Sequence, residues 1–422
     1  MTNPRTLALI AALLLIPASL CSQTYTAKSI AFQGATGYTD QDLLALSGLK
    51  TGTPLTADDI NKGLQTLVDT GLFDDVTFQY HAGALTFTLV PSTSLKEVQL
   101  ENLPLLAGPE LDARIRAKVP LYRGRVPFDG PLLDSVRKAL EEEVSAQGID
   151  ATIIVLKPAS DDPTIHFRQS IPPVHIGAVT LTGASPELSA GAHQALARAA
   201  NAEFSTLGSP NQLETELGNY YRELAHLQAT IHATIKLPAV ATADGVGVPF
   251  NVTVTEGPEF HIGTVALDPA VGMALPEFEA RTALHPGALA KGSLLRGAWQ
   301  MLTEEQHTTG HMRARILPAA TYDEAKGMVS YRVAAEPGPQ YSMGNFNVDN
   351  ANDELRAAIL SDWVMTPGVI FNPRRLLGAP ECRPTNAALQ RYLAHEELKY
   401  SYQYHEDTHT IDVTLHLEKH NL

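Results

Sequence analysis

The sequence predicts an α+β protein made of five tandem β-α-α-β-β repeats. Each repeat is a three-stranded mixed sheet covered by two helices, and the repeats form an elongated array. Three series of markers carry this reading. His175 opens HIGAVTL, His261 opens HIGTVAL and Ser342 opens SMGNFNV, 86 and 81 residues apart. Ile149, Leu227, Met312 and Leu398 open IDATI, LQATI, MRARI and LKYSY, at spacings of 78, 85 and 86. Prolines punctuate in the same phase at Pro91, Pro172, Pro173, Pro258, Pro337 and Pro339. Agreement of three markers on one period is the signature of a repeat protein. The repeats fall at 26–91, 95–172, 174–257, 260–337 and 340–422.

The first repeat shows its elements most clearly. Ile30 and Phe32 alternate in a short strand that ends at Gly34. Asp40 is placed to cap a helix running to Ser47, closed by Gly48. Gly52-Thr53-Pro54 makes a turn, and Thr56 begins a second helix. Ile60, Leu64, Leu67 and Val68 fall at helical spacing on its inner side. Gly71 stops that helix where a left-handed residue is needed. Phe73 follows and is expected to be buried beneath the helices. Val76, Phe78 and Tyr80 then alternate with polar residues, and after a short turn so do Leu85, Phe87 and Leu89. Counting directions makes strands one and three parallel and strand two antiparallel. In the later repeats the long helix is read at Leu132–Ala146, Gln212–Leu224, Ser293–Thr308 and Thr385–Glu397.

Residues 1–23 read as a secretory signal peptide. Arg5 precedes the apolar run Leu7–Ile16, and small residues around Ser22 offer a cleavage point. That run is too short to span a bilayer, which takes about 20 residues. Cys21 raises lipidation, but Leu20 stands before it where a small residue is expected. The chain has 46 acidic and 31 basic residues, a net charge of -15, and two cysteines. A nucleic-acid binder relying on a basic field and a disulfide framework are both excluded.

Gly71-Leu72-Phe73-Asp74-Asp75-Val76 after a helix, the preceding Gly52-Thr53-Pro54, and Val254-Thr255-Glu256-Gly257-Pro258 leading into Ile262-Gly263 resemble polypeptide-transport-associated (POTRA) domains. The array is similar to the periplasmic part of BamA-type outer-membrane assembly factors, which carry five such domains ahead of a β-barrel. Glycine often ends strand one in that family. Gly34 and Gly183 fit, whereas Asn102, Asp268 and Asp349 depart. No barrel strands follow Thr410–Leu417 in this sequence. The resemblance therefore implies a periplasmic, non-catalytic scaffold or chaperone-like module without cofactor. Its implied partners are unfolded or extended outer-membrane polypeptides, together with a separately encoded barrel or assembly-complex subunits, and not nucleic acid. The alternative is a barrel-less fragment of such an insertase or transporter.

Two surfaces are expected to carry binding. If strand three is central, strands one and two have open edges, which accept an extended peptide through main-chain bonds. Gln228–Leu237 is the clearest such strand, with Thr230, His232, Thr234 and Lys236 on its polar face. The same pattern fits an ordinary edge strand guarded by Lys236. Tyr400, Tyr402 and Tyr404 form a stripe at strand spacing, either a docking surface or a packed sheet face. Neither His307 with His311 nor His395, His405 and His409 with Glu396, Glu397, Glu406 and Asp407 makes a metal motif. No nucleophile elbow, phosphate loop or dinucleotide fingerprint occurs, so no catalytic residue is assigned.

Overall fold

The computed structural model describes residues 24–157, 163–379, 381–393 and 398–417. The signal-peptide reading of 1–23, with Cys21, and the histidine and glutamates at 395–397 lie outside the described residues. Two compact units divide the chain. One holds the described residues up to Thr180 with Ala200–Asn211 and Thr234–Asn251. The other holds Leu181–Ala199, Gln212–Ala233 and the described residues from Val252 on. The division falls within the third repeat.

The first repeat runs β1 (Thr24–Thr26), β2 (Ser29–Gln33), α1 (Asp40–Ser47), β3 (Pro54–Thr56), α2 (Ala57–Asp69), β4 (Phe73–His81) and β5 (Ala84–Pro91). The second runs β6 (Lys96–Glu101), α3 (Pro109–Lys118), β7 (Arg125–Val126), α4 (Pro131–Ser145), β8 (Thr152–Leu156) and β9 (Thr164–Ile171). The third has β10 (Val174–Thr182), α5 (Pro186–Ala197), α6 (Gly208–Glu223), β11 (Thr230–Ile235), β12 (Val240–Thr242) and β13 (Gly245–Thr255). The fourth has β14 (His261–Leu267), α7 (Leu275–Thr282), α8 (Gly292–Thr308), β15 (Arg315–Asp323) and β16 (Met328–Glu336). The fifth has β17 (Ser342–Asp349), α9 (Asp353–Asp362), α10 (Ala387–Leu393), β18 (Lys399–His405) and β19 (Thr410–His416).

Five sheets share one strand order: β2-β5-β4, β6-β9-β8 with β7 outside β6, β10-β13-β11, β14-β16-β15 and β17-β19-β18. The last strand of each repeat is central. In the first, second, fourth and fifth sheets it runs parallel to strand one and antiparallel to strand two, as direction counting requires. The fold is α+β, with small mixed sheets repeated in tandem.

Each sheet buries one face under its helices. In the first repeat Leu43, Ile60, Leu67, Phe73, Leu85 and Phe87 are buried. Phe73 and Val76 are both buried because the ladder shifts register between Phe73 and Asp75, and that bulge returns Val76 to the inner face. Phe260, Phe278, Val329 and Val333 form the core of the fourth repeat. Two clusters, around Phe371 and around Leu389, make up that of the fifth.

Local expectations need adjustment at several helix ends. Thr39, not Asp40, caps α1, accepting from the Asp42 N–H at 3.1 Å, and Asp42 reaches back to complete a capping box. Helix α6 begins at Gly208, ahead of Gln212, and α10 is described only over Ala387–Leu393.

The expectation of open strand-one edges also needs correction. In the second to fifth repeats the segment between the helices pairs with the start of strand one. Ile176 donates to the Ala202 carbonyl, Ile262 to Ala288 and Met343 to Val369, at 2.9, 2.7 and 2.7 Å, and Asn201, Gly287 and Gly368 donate back. β7 does the same beside β6, while in the first repeat β3 pairs with β1, just ahead of β2, in a small sheet of its own. The inter-helix segment thus satisfies the leading half of an edge that would otherwise be exposed.

Candidate functional site

The site is the edge of strand two, together with the residues that shape strands one and three around it. On β11, Thr230, His232 and Thr234 are exposed, as is Lys236 just beyond it, while Ala233 is buried and Ile231 and Ile235 are half-buried. The Lys236 N–H donates to the Pro249 carbonyl at 2.8 Å, so this parity of residues faces β13. Main-chain groups in an antiparallel ladder alternate by two. Thr230, His232 and Thr234 therefore direct their N–H groups into the sheet, and Ile231, Ala233 and Ile235 direct theirs outward.

The outward edge is partly occupied from within. Glu214, on α6, accepts the Ala233 N–H at 2.9 Å and stands 3.5 Å from the His232 ring. The second repeat uses the same device: Glu141 on α4 accepts the Ile153 N–H of β8 at 3.0 Å. A helix carboxylate on an edge donor blunts pairing with stray strands. Sequence reading missed both glutamates because the contact depends on how helix and sheet edge meet, which spacing alone does not encode.

The Ile-Gly pair of strand one has a physical basis. Gly263 lies in a register shift between Ile262 and Val265. A Cβ there would overlap the Ser330 hydroxyl, which takes the Thr264 N–H freed by the shift at 3.0 Å. In the fifth repeat Asp412 plays the part of Ser330, accepting from the Asn345 N–H at 2.6 Å. Gly34 and Gly183, ending strand one, have φ near +85° and would drive a Cβ into the Leu89 and Val254 carbonyls. Asn102 and Asn350 take up left-handed backbone in the second and fifth repeats, a conformation asparagine tolerates. The departures noted at Asn102 and Asp349 thus keep the local geometry.

The remaining motif glycines sit at turns and linkers. Gly52 has φ +77° and donates to Ala27 at 2.8 Å, and a Cβ on Gly71 would crowd Pro127. Gly257, at φ +66° before Pro258, offers its carbonyl to His226 Nδ1 at 2.9 Å. Gly338 does the same for His311 at 3.1 Å, so His311 serves the linker. Glu256 of the same motif was not singled out in the sequence. It accepts from the Ser185 N–H at 2.8 Å and the Tyr221 hydroxyl at 2.9 Å, tying strand three to the start of α5 and to α6.

Burial pushes the Glu256 carboxyl up, but the bonds from Ser185 and Tyr221 outweigh it and hold it below the ordinary value of 4.5. A carboxylate depressed in the fold stabilises it above its unfolded pKa and loses that contribution as pH falls through the folded one. Glu256→Gln is expected to flatten the fall in melting temperature below about pH 4.5, leaving pH 7 as the condition where parent and variant differ most. Parallel acid-side melting curves for the two proteins would discredit this role.

The tyrosine stripe is mostly packed. The Tyr400 hydroxyl donates to the Leu377 carbonyl at 2.8 Å, and Tyr404 stacks edge-on to Tyr341 under the Arg313 guanidinium. Tyr402 is 41% exposed. Among the described residues no group of three or more potential ligands could hold a metal ion, and no helix is long and apolar enough to cross a membrane.

The family model POTRA, described as surface antigen variable number repeat, matches residues 25–92. These residues form a POTRA domain. The strand order of this POTRA domain recurs in the four sheets that follow it. Three solved structures illustrate the likeness. POTRA domains 3–5 of Haemophilus influenzae BamA are 12% identical, cover 58% of this chain and 96% of their own, and give a TM-score of 0.42. The N-terminal domain of Omp85 from Thermosynechococcus elongatus is 15% identical over 60% of this chain and 100% of its own, at 0.23. Escherichia coli CdiB is 15% identical over 56% of this chain and 36% of its own, at 0.21. No curated protein matches at the sequence level.

Proposed function

We propose that the chain is a non-catalytic periplasmic module of outer-membrane protein assembly or transport, with POTRA-like repeats at 26–91, 95–172, 174–257, 260–337 and 340–422. It binds extended polypeptides by adding them as a strand beside β11, and it works with a separately encoded barrel or with subunits of an assembly complex. The observation carrying this reading is the outward set of main-chain donors at Ile231, Ala233 and Ile235, in a chain whose first repeat is a POTRA domain. Main-chain bonding suits many clients, because it reads backbone more than side chains. Glu214 makes the edge selective. A client must displace its carboxylate from Ala233, which suppresses weak or accidental pairing.

Proline removes one donor and is tolerated on an edge. Ile231→Pro is expected to abolish binding of a labelled, uncharged peptide of alternating valine and threonine, while Ile231→Val binds like the parent. Glu214→Ala, which uncovers the Ala233 donor, is expected to tighten binding several-fold, on the order of one exposed hydrogen bond. Folding is followed by circular dichroism. A folded Ile231→Pro protein that binds the peptide like the parent would refute strand addition at β11.

A further inference from the structure

A second surface lies beside the second repeat. Ile154 and Leu156 alternate along β8 and are 39% and 37% exposed, on the sheet face away from the buried Ile153. They line an open cleft of about 680 Å³ that also takes in Arg168, Glu203 and Asp244. Arg168 pairs across the ladder with Ile154, so its guanidinium lies on the same face. Glu203 accepts from both Arg168 and Asn102, the latter at 2.5 Å, and both bonds land on Oε1. Its second oxygen keeps its acceptor capacity. Asp244 sits on the turn before Gly245 and makes no ion pair among the described residues. The cleft thus has an apolar strip and two carboxylates against one guanidinium, which is already engaged.

We propose that this cleft docks a segment of a partner polypeptide presenting apolar side chains next to a lysine or arginine. The apolar groups cover Ile154 and Leu156, and the cation meets Asp244 and the open oxygen of Glu203. Charge complementarity selects this occupant. An acidic segment would bring a third carboxylate to the cleft, and a wholly apolar one would leave the Asp244 charge partly desolvated without a partner. The site uses side chains and does not depend on strand addition at β11.

The test titrates a fluorescein-labelled peptide of alternating leucine and lysine, followed by anisotropy, against the full chain. A counterpart with glutamate in place of lysine is run beside it. The lysine peptide is expected to bind at least about tenfold more tightly than its counterpart. Asp244→Lys is expected to narrow that preference about tenfold, whereas Glu324→Lys, an equal charge change on an exposed turn of the fourth repeat, leaves it unchanged. Leu156→Ser is expected to weaken both peptides several-fold with an unchanged circular dichroism spectrum. In Ile231→Pro, which removes strand addition at β11, the lysine preference and its dependence on Asp244 and Leu156 are expected to persist. Equal effects of Asp244→Lys and Glu324→Lys would reduce the binding to net charge and overturn the site, as would failure of the lysine peptide to bind. Binding lost in Ile231→Pro yet retained in Asp244→Lys and Leu156→Ser would also overturn the cleft while leaving the β11 reading intact.

Discussion

Phe73→Ala is expected to destabilise the first repeat by about 3–5 kcal/mol, the range for emptying a buried aromatic site. Phe73 is 4% exposed, and its ring meets Tyr38 edge-on at 5.9 Å. It also begins β4 where the register shifts, so emptying it is expected to disturb the bulge that returns Val76 to the inner face. Hydrogen exchange in the full chain gives the readout. Amides of β4 and β5 should lose protection while those of the fourth and fifth repeats keep theirs. A change below about 1 kcal/mol would show that the site collapses around the smaller residue, contrary to the close packing seen.

The second large effect is expected at Gly183. An alanine there meets two penalties together: a left-handed backbone at φ +87°, and a Cβ driven into the Val254 carbonyl oxygen. The first costs about 1–2 kcal/mol. The second forces the central strand aside, at about 1–3 kcal/mol. Val254 lies directly before Thr255 and Glu256, so the displacement should also disturb the carboxylate that ties strand three to α5. Gly183→Asn is the informative companion, because asparagine relieves the backbone term and leaves the overlap. If Gly183→Ala melts within a degree of the parent, the approach to Val254 is softer than the geometry requires. If Gly183→Asn restores the parent melting temperature, backbone conformation alone governs the position.

These positions show which parts of the molecule could be read from sequence. Phe73, Val76 and the Leu85-Phe87-Leu89 strand declare themselves because their signal is periodic, and burial follows from period. Gly34 and Gly183 were visible as motif letters, whereas the reason for them, a carbonyl from strand three, appears only when the sheet closes. The Glu214 contact with Ala233 and the Ser330 contact with Thr264 leave no periodic trace. Each joins residues on different elements through one side chain, and a serine or glutamate at such a place reads as ordinary surface. The direction of the β11 main-chain groups was equally hidden. A side-chain pattern fixes which face is inside, while the outward donors follow from which residues pair with β13. The short bridges between helices escaped notice because two or three residues are too few to show alternation.

Those bridges bear on the order in which a repeat assembles. Strand one finds its parallel partner only after both helices and strand two have been made, and such distant pairings close slowly. Ile176 meets Ala202, Ile262 meets Ala288 and Met343 meets Val369 across a single helix. Each repeat can therefore close a loop around its first helix while its last strand is still missing. The nascent strand is held in an extended form with part of its edge occupied, and the late strand arrives at a prepared groove. In a chain that carries five similar sets of strands, this early closure favours pairing within a repeat over exchange between repeats.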